Sequence, residues 1–351
     1  MHGHFPRRLW IFLAGAVLGI VVWEASRRAE FANVSIAAQG QSADKAAMAP
    51  RKPQETPIGP KWWPSRWGKD DQRGSANLMS SQRVLDAAKL IRTGKVYQLG
   101  RVYERDMPTF PHRTFRLTIP AYRAVDGENM RVGRDEFFVG EIGQMGTQMD
   151  GLGHVGARLP DGDYYYNGFR SAEIEDAYGL KSLGVENAGV FFTRGVLVDV
   201  AGYKRTERLE VGYEISPVDF RGALEAQGTK LRAGDVVLIR TGHAGLWITD
   251  NQKYNSGEPG IGLEVAKWLI TQDPMMVGAD NWGIEVDPSP SNPNRKIEVH
   301  QWMITKHGIY FMENLNLDEL AADKVYEFAF MFAPLRLKGA SGSPGNPIAV
   351  N

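Results

Sequence analysis

The sequence contains no cysteine, and its charges sum to zero. The absence of cysteine excludes disulfide bonds, thiolate metal sites and a cysteine nucleophile. Lysine and arginine together number 41, the same as aspartate and glutamate together. No global basic field therefore favours nucleic acid, and no basic run with interleaved aromatic residues does so in the folded part. We predict that the protein has no nucleic-acid partner.

The remaining composition is that of a globular protein. The 351 residues are 43% hydrophobic and 23% charged, and no internal repeat is present. Apolar residues at helical spacing follow Ser80, while Pro217 and Gly228 mark the first turn and the end of another helix. Continuous apolar runs, such as D-V-V-L-I-R at residues 235–240, predict buried strands. The pattern favours one mixed α/β domain that ends in a strand and a Gly/Ser/Pro-rich tail.

The sequence has a single long apolar run, which lies near its N-terminus. Arg7 and Arg8 precede the run Leu9–Trp23, and this order is typical of a secretory signal. The run is short for a full membrane span, although an uncleaved membrane anchor is an alternative. We predict a signal peptide or anchor over residues 1–36, and a protein that is exported, either periplasmic or anchored facing outside the cytoplasm.

A flexible linker is predicted between this segment and the folded domain. Residues 37–60 are rich in Ala, Gln, Ser, Lys and Pro and have no apolar periodicity. The folded domain is expected to span residues 61–351. Its first residues include Trp62, Trp63 and Trp67, which we expect to pack this segment onto the core or onto a partner subunit.

Residues 144–154, Q-M-G-T-Q-M-D-G-L-G-H, have the spacing of a metal-binding loop. The sequence has only seven histidines; His154 follows Asp150 by four positions, and His300 precedes a second acidic residue, Glu313. Imidazole and two carboxylates, completed by the oxygens of Gln144 and Gln148, would suit Zn²⁺ or Mn²⁺. Taken alone, the spacing is explained better by a glycine-rich turn with a polar rim.

This loop resembles the hallmark H-x-G-T-H-x-D-x-x-x-H of the cyclase family of metal-dependent hydrolases. The family includes bacterial kynurenine formamidase, isatin hydrolase and trans-dienelactone hydrolase. Further matches begin at Arg66 (R-W-G-K-D-D-Q-R-G-S-A-N-L), Gly234 (G-D-V-V-L-I-R-T-G), His300 and Ser341 (S-G-S-P-G-N-P-I-A-V). The resemblance covers nearly the whole folded region. It implies a swivelling β/α/β-type α/β domain.

The resemblance also implies roles for particular residues. Asp150, His300 and Glu313 are implied to bind one divalent ion, Zn or Mn. Gln144 and Gln148 stand where the formamidases have two histidine ligands, so here they are expected only to assist. A second ion is not expected to be held tightly. His154 is implied to be the acid/base residue beside the metal.

The implied reaction is hydrolysis of a small amide, ester or lactone by metal-activated water. In it His154 takes a proton from the water and returns it to the leaving group. Phe110, His112 and Arg113 lie where the family places a substrate-facing loop, and they are predicted to contact a small-molecule substrate. The family usually forms homodimers or homotetramers, so a homo-oligomer is expected.

Two other functions remain open at this stage. The first is a non-catalytic, exported protein that keeps the fold and binds a small cyclic or aromatic ligand. Retention of Asp150, His154, His300 and Glu313 argues against it. The second is cyclisation in polyketide assembly, which rests on the family name alone.

Overall fold

A nine-stranded sheet lies at the centre of the computed structural model, which describes residues 55–120 and 125–351. Its strands, numbered along the chain, are β1 (Val96–Gln98), β2 (Gln148–Asp150), β3 (Phe191–Asp199), β4 (Val236–Arg240), β5 (Met276–Ala279), β6 (Tyr310–Glu313), β7 (Glu327–Phe332), β8 (Gly342–Pro344) and β9 (Ile348–Val350). In space they follow the order β8-β2-β6-β5-β4-β3-β7-β9-β1. Strands β3 to β6 are mutually parallel, and every other pairing in the sheet is antiparallel. The predicted α/β fold is confirmed.

Helices and short strand pairs surround this sheet. The α-helices span Ser81–Ala88, Ser171–Ile174, Val200–Tyr203, Pro217–Ala226, Asn251–Asn255, Leu263–Thr271, Glu298–His300 and Asp318–Ala322. Tighter 3₁₀ turns span Gly74–Leu78, Tyr166–Gly168, Val185–Asn187 and His243–Leu246, and a π-helix spans Gln301–Lys306. Two-stranded pairs join Glu55–Thr56 to Gly59–Pro60, Phe115–Thr118 to Phe137–Gly140, Val125–Asp126 to Arg131–Val132, Ala157–Leu159 to Gly162–Tyr164, and Glu214–Ile215 to Gly260–Ile261.

The predicted signals for helix starts act as expected. The Ser80 hydroxyl accepts a hydrogen bond from the backbone N–H of Arg83 at 3.3 Å and caps helix Ser81–Ala88. Ser216 and Asp219 form a reciprocal capping box at the start of helix Pro217–Ala226. Because local hydrogen bonds fix these helix starts, the sequence alone was enough to predict them. The first helix ends at Ala88, however, before the glycine at position 94 that was expected to stop it.

The central strands are buried on both faces of the sheet. In β4, consecutive residues from Val236 to Leu238 have no exposed surface, although their side chains alternate between faces. Burial on both faces is typical of parallel strands that are covered by helices on either side. The continuous apolar runs in the sequence therefore reflect a central position in the sheet.

The Gly/Ser/Pro-rich tail is part of the sheet, which the sequence did not indicate. Strand β8 (Gly342–Pro344) pairs with β2, and β9 (Ile348–Val350) pairs with β7 and β1. Small residues permit close backbone approach here, because a Cβ atom added to Gly143 would lie 2.6 Å from the carbonyl oxygen of Gly342. The tail was missed because its pairing is long-range and its residues have low strand propensity.

The predicted export segment, residues 1–36, lies outside the described residues, as does the predicted linker up to residue 54. The last six residues of that linker, 55–60, form a short strand pair in which the side chain of Ile58 is buried. Ordered structure therefore begins before Lys61, the predicted start of the domain. Across residues 55–120 and 125–351, no helix combines the length and the hydropathy needed to cross a membrane.

A buried ion pair joins two strands of the sheet to the turn before β4. The Arg194 guanidinium on β3 forms two hydrogen bonds to the Asp235 carboxylate, at 2.9 and 2.6 Å. It also bonds to Glu327 on β7 at 2.8 Å. The side chains of Arg194 and Asp235 are only 9% and 3% exposed, so removing the arginine leaves a buried carboxylate without its partner.

We expect Arg194→Met to lower the free energy of unfolding by about 3–5 kcal/mol, because the Asp235 carboxylate stays buried and loses its cation. The matched control is Arg158→Met, which removes an Arg158–Asp163 pair whose arginine is 83% exposed. That change should cost less than about 1 kcal/mol. Urea denaturation of both variants measures the difference. Equal losses would show that burial of the Arg194–Asp235 pair does not set the cost of breaking it.

Candidate metal centre

Two neighbouring strands bring the predicted acidic ligands together. Strands β2 and β6 pair antiparallel, with Asp150 opposite Phe311 and Gln148 opposite Glu313. Side chains two residues apart on a strand share a face, so Asp150, Gln148 and Glu313 lie on one face of the sheet. The two carboxylates, far apart in sequence, thereby meet in the folded core.

His300 completes this group from a separate element. It ends the short helix Glu298–His300, and its ring packs edge-on against Phe311 at a centroid distance of 4.8 Å. Its Nε2 atom lies 3.3 Å from Glu313 Oε1 and 3.8 Å from Asp150 Oδ2. One ligand atom from each of Asp150, His300 and Glu313 lies within 4.8 Å of the other two, a spacing that suits a shared metal ion.

The electrostatics of this group favour a bound cation. Among the described residues, Asp150 Oδ2 is buried without a hydrogen-bond partner. Burial and the neighbouring Asp150 charge raise the pKa of Glu313 to about 8. Burial lowers the pKa of His300, but hydrogen bonds to Glu285 and Glu313 outweigh it and raise that pKa well above its usual value. Two buried carboxylates that repel each other and face an imidazole fit a divalent cation.

The two glutamines present their amide groups to the carboxylates. Gln144 Nε2 donates to Asp150 Oδ1 at 3.1 Å, and Gln148 Nε2 donates to Glu313 Oε2 at 2.5 Å. The side-chain oxygen of Gln148 accepts a hydrogen bond from Asn314 Nδ2 at 3.1 Å. In this arrangement the glutamines orient the acidic ligands. Their direct participation as metal ligands stays a prediction.

His154 lies at the accessible edge of the group. Its Nε2 atom is 3.6 Å from Asp150 Oδ2, and its side chain is 24% exposed, compared with 1% for Asp150 and 5% for His300. Burial lowers the pKa of His154, and the Asp150 charge opposes this only in part. The imidazole is therefore neutral near pH 7 and can accept a proton.

The three residues predicted to contact substrate do not all line the same cleft. Phe110 and Arg113 line a narrow cleft beside Gln144, where the Phe110 ring packs edge-on against Trp282 at 5.1 Å. His112 is exposed and lies outside the cleft lining, although its ring stacks on Phe110 at 5.9 Å. The cleft has a volume of about 20 Å³, close to that of one water molecule. Substrate contact by these residues stays a prediction.

Two glutamates near the site were not predicted from the sequence. Glu285 Oε1 lies 2.5 Å from His300 Nδ1, and Glu285 also accepts the backbone N–H groups of Val299 and His300. Glu258 is fully buried and accepts the backbone N–H groups of Trp282 and Gly283 at 2.8 and 3.0 Å. No sequence spacing links either glutamate to its partners, because tertiary packing alone brings them together.

Two residues near the site have unfavourable backbone conformations, as do others elsewhere in the described chain, such as Ile248 with a φ of +64°. Ile284 has a φ of +65°, a conformation that is unfavourable for a β-branched residue. Ile297, three residues before His300, has a φ of +44°. Such strained residues cluster at ligand and active sites, because the surrounding structure must hold them in place.

Comparison with known proteins identifies the family and supports the fold. The cyclase family model, described as "Putative cyclase", matches residues 97–286, which is more than half of the chain. A solved structure described as a novel cyclase is 34% identical to this chain, with a TM-score of 0.73. The match covers 82% of this chain and 96% of the chain in that structure. The comparison with curated proteins gave no match.

Two further solved structures share the fold at lower identity. Isatin hydrolase A from Ralstonia solanacearum is 21% identical over 78% of this chain and 98% of its own, with a TM-score of 0.53. Isatin hydrolase A from Labrenzia aggregata, bound to benzyl benzoate, is 20% identical, with a TM-score of 0.51. That match covers 77% of this chain and 98% of the hydrolase chain. The predicted family is thus confirmed, and the chain belongs to the cyclase family.

Proposed function

We propose that this protein is a metal-dependent hydrolase that acts on a small amide, ester or lactone. The observation that carries the proposal is the buried set Asp150, His300 and Glu313, whose ligand atoms lie within 4.8 Å of one another. Membership of the cyclase family supports the same conclusion. The proposed cofactor is one divalent ion per chain, Zn or Mn, held by these three residues.

A divalent cation held by Asp150, His300 and Glu313 would supply Lewis-acid polarisation of a carbonyl group and a water molecule of lowered pKa. The chain's own residues keep the ligands in place. Gln144 and Gln148 orient the two carboxylates through their amide groups. Glu285 fixes the ring of His300 through Nδ1 and leaves Nε2 facing the carboxylates.

His154 performs the proton transfers in this proposal. Its imidazole is neutral near pH 7 because burial lowers its pKa, so it can take a proton from the attacking water. The protonated ring then gives that proton to the nitrogen or oxygen that leaves the substrate. The His154 side chain is 24% exposed, which supports its access to a substrate.

Glu285→Gln should weaken metal affinity by about 10–100-fold, because it removes the carboxylate that orients His300. The matched control is Glu264→Gln, an identical change at an exposed position of helix Leu263–Thr271. Competition against a chelator of known affinity measures both variants. Equal affinities in the two variants would show that Glu285 does not support a metal ligand.

The function itself is tested with a panel of aryl formamides, lactones and esters. His154→Ala should reduce turnover of the accepted substrate by about 10²–10⁴-fold while the chain keeps its metal. Asp150→Asn should remove metal and activity together. If the metal-loaded wild-type chain hydrolyses no member of the panel, the non-catalytic binding protein becomes the better description.

We also propose that the protein forms a homodimer or homotetramer through its exposed β arm, defined as strands Phe115–Thr118 and Phe137–Gly140. Large apolar side chains of this arm face solvent: Leu117 is 52% exposed, Phe137 65% and Val139 59%. An isolated strand pair is at best marginally stable, and exposed apolar patches of this kind mark interaction sites. We propose that a second copy of the chain packs against this apolar surface.

Val139→Glu should therefore shift the protein from an oligomer towards the single-chain mass, because the new charge would be buried in the interface. The control is Val218→Glu, which introduces the same charge at a 70% exposed valine on helix Pro217–Ala226. Light scattering after gel filtration gives the mass of each species. A wild-type chain that elutes at its own mass of 39.0 kDa would contradict the proposal.

A further inference from the structure

A cavity with a volume of about 610 Å³ lies apart from the metal centre. It is open to solvent on one side and is bordered by residues 60–67, by the end of helix Leu263–Thr271 with its following turn, and by the π-helix Gln301–Lys306. None of the residues assigned to the metal centre lines it. Its volume falls within the range of small-molecule sites, about 300–1,000 Å³.

Indole rings form much of the cavity wall. Trp63, Trp67 and Trp302 are each partly buried and line the cavity. Trp63 stacks on Tyr164 at a centroid distance of 4.9 Å with an interplanar angle of 17°. Trp62 also lines the cavity, and it donates its indole N–H to the carbonyl oxygen of Tyr165 at 3.0 Å. These contacts hold the rings in place, so the wall is formed before any ligand arrives.

The π-helix is an unusual element for such a wall. π-Helical turns are rare and occur frequently at functional sites. This one carries Trp302 and Lys306 on the cavity side, and Thr305 anchors it by donating its hydroxyl to the carbonyl oxygen of Val155 at 2.8 Å. The element therefore holds one aromatic and one cationic group against the cavity.

The cations of the wall exceed its anions. Lys61 and Lys306 both line the cavity, and within residues 55–120 and 125–351 neither forms an ion pair with a carboxylate. Asp273 is the acidic residue of the lining, and it is already bonded to Arg66 at 2.5 Å. The cavity therefore presents uncompensated positive charge next to aromatic faces.

One further cation, Lys267, lies next to this wall. The ammonium groups of Lys267 and Lys306 lie over the Trp302 ring, at 4.4 and 3.9 Å from its centroid. Burial and the charge of Lys267 lower the pKa of Lys306. Two like charges on one indole ring repel each other, so an anion in the cavity would stabilise the arrangement.

We infer that this cavity is a second binding site, and that its ligand is a planar aromatic carboxylate. The ammonium groups of Lys61 and Lys306 lie over the Trp63 and Trp302 rings, at 4.8 and 3.9 Å from the centroids. The carboxylate of the ligand pairs with these two ammonium groups, and its aromatic ring packs edge-on against the indole rings. A neutral aromatic molecule lacks the first interaction, and an aliphatic anion lacks the second. The inference does not depend on the proposed hydrolase activity.

The test is isothermal titration of the full-length chain with naphthalene-2-carboxylate, and with naphthalene-2-carboxamide as the neutral probe of the same shape. Asp150→Asn is used to disable the metal centre, so that binding there is not mistaken for binding in the cavity. The carboxylate should bind wild type and Asp150→Asn equally. The carboxamide should bind at least about ten-fold more weakly, as expected for loss of a charge-assisted contact.

Two cavity variants locate the site. Lys306→Met and Trp67→Ala should each weaken binding of the carboxylate by about ten-fold or more. Lys89→Met, at a 71% exposed lysine next to helix Ser81–Ala88, is the control and should leave binding unchanged. The inference is overturned by any of three results: no binding at millimolar probe, binding that disappears in Asp150→Asn, or binding that survives both cavity variants.

Discussion

The site depends first on the pairing of strand β2 with strand β6. This pairing sets Gln148 opposite Glu313 and directs both, together with Asp150, to one face of the sheet. A slip of one residue in register would turn Asp150 and Gln148 to the opposite face and separate the carboxylates. The Gly-rich approach to β2 and the closely packed strand β8 on its other side fix that register.

The charges at this site explain why it needs such a rigid frame. Asp150 and Glu313 are both buried, and the repulsion between them contributes to the raised pKa of Glu313. A buried pair of like charges destabilises the folded chain unless a cation or a proton neutralises it. In the proposed function a divalent ion has this role, and the strained backbone at Ile284 is held by the same packing that positions Glu285.

The sequence was sufficient for the features that local chemistry determines. Helix caps and continuous apolar strands led to the α/β fold. The family and the grouping of Asp150 with His300 and Glu313 followed instead from the resemblance of residues 144–154 and of further motifs to the cyclase family. Glu285 could not be found, because only tertiary folding brings it to His300 from 15 positions earlier in the chain. Strands β8 and β9 were missed for a related reason: their glycine and proline residues indicate loops, whereas distant strands supply their partners.

The most direct test of the central claim is the metal content of the full-length chain, measured by elemental analysis after gel filtration without added metal. The proposed function predicts about one Zn or Mn ion per wild-type chain and none in Asp150→Asn, because that variant loses the buried carboxylate of the ligand set. A wild-type chain that contains no divalent ion, and takes up none when Zn or Mn is added, would contradict the claim that Asp150, His300 and Glu313 form a metal centre.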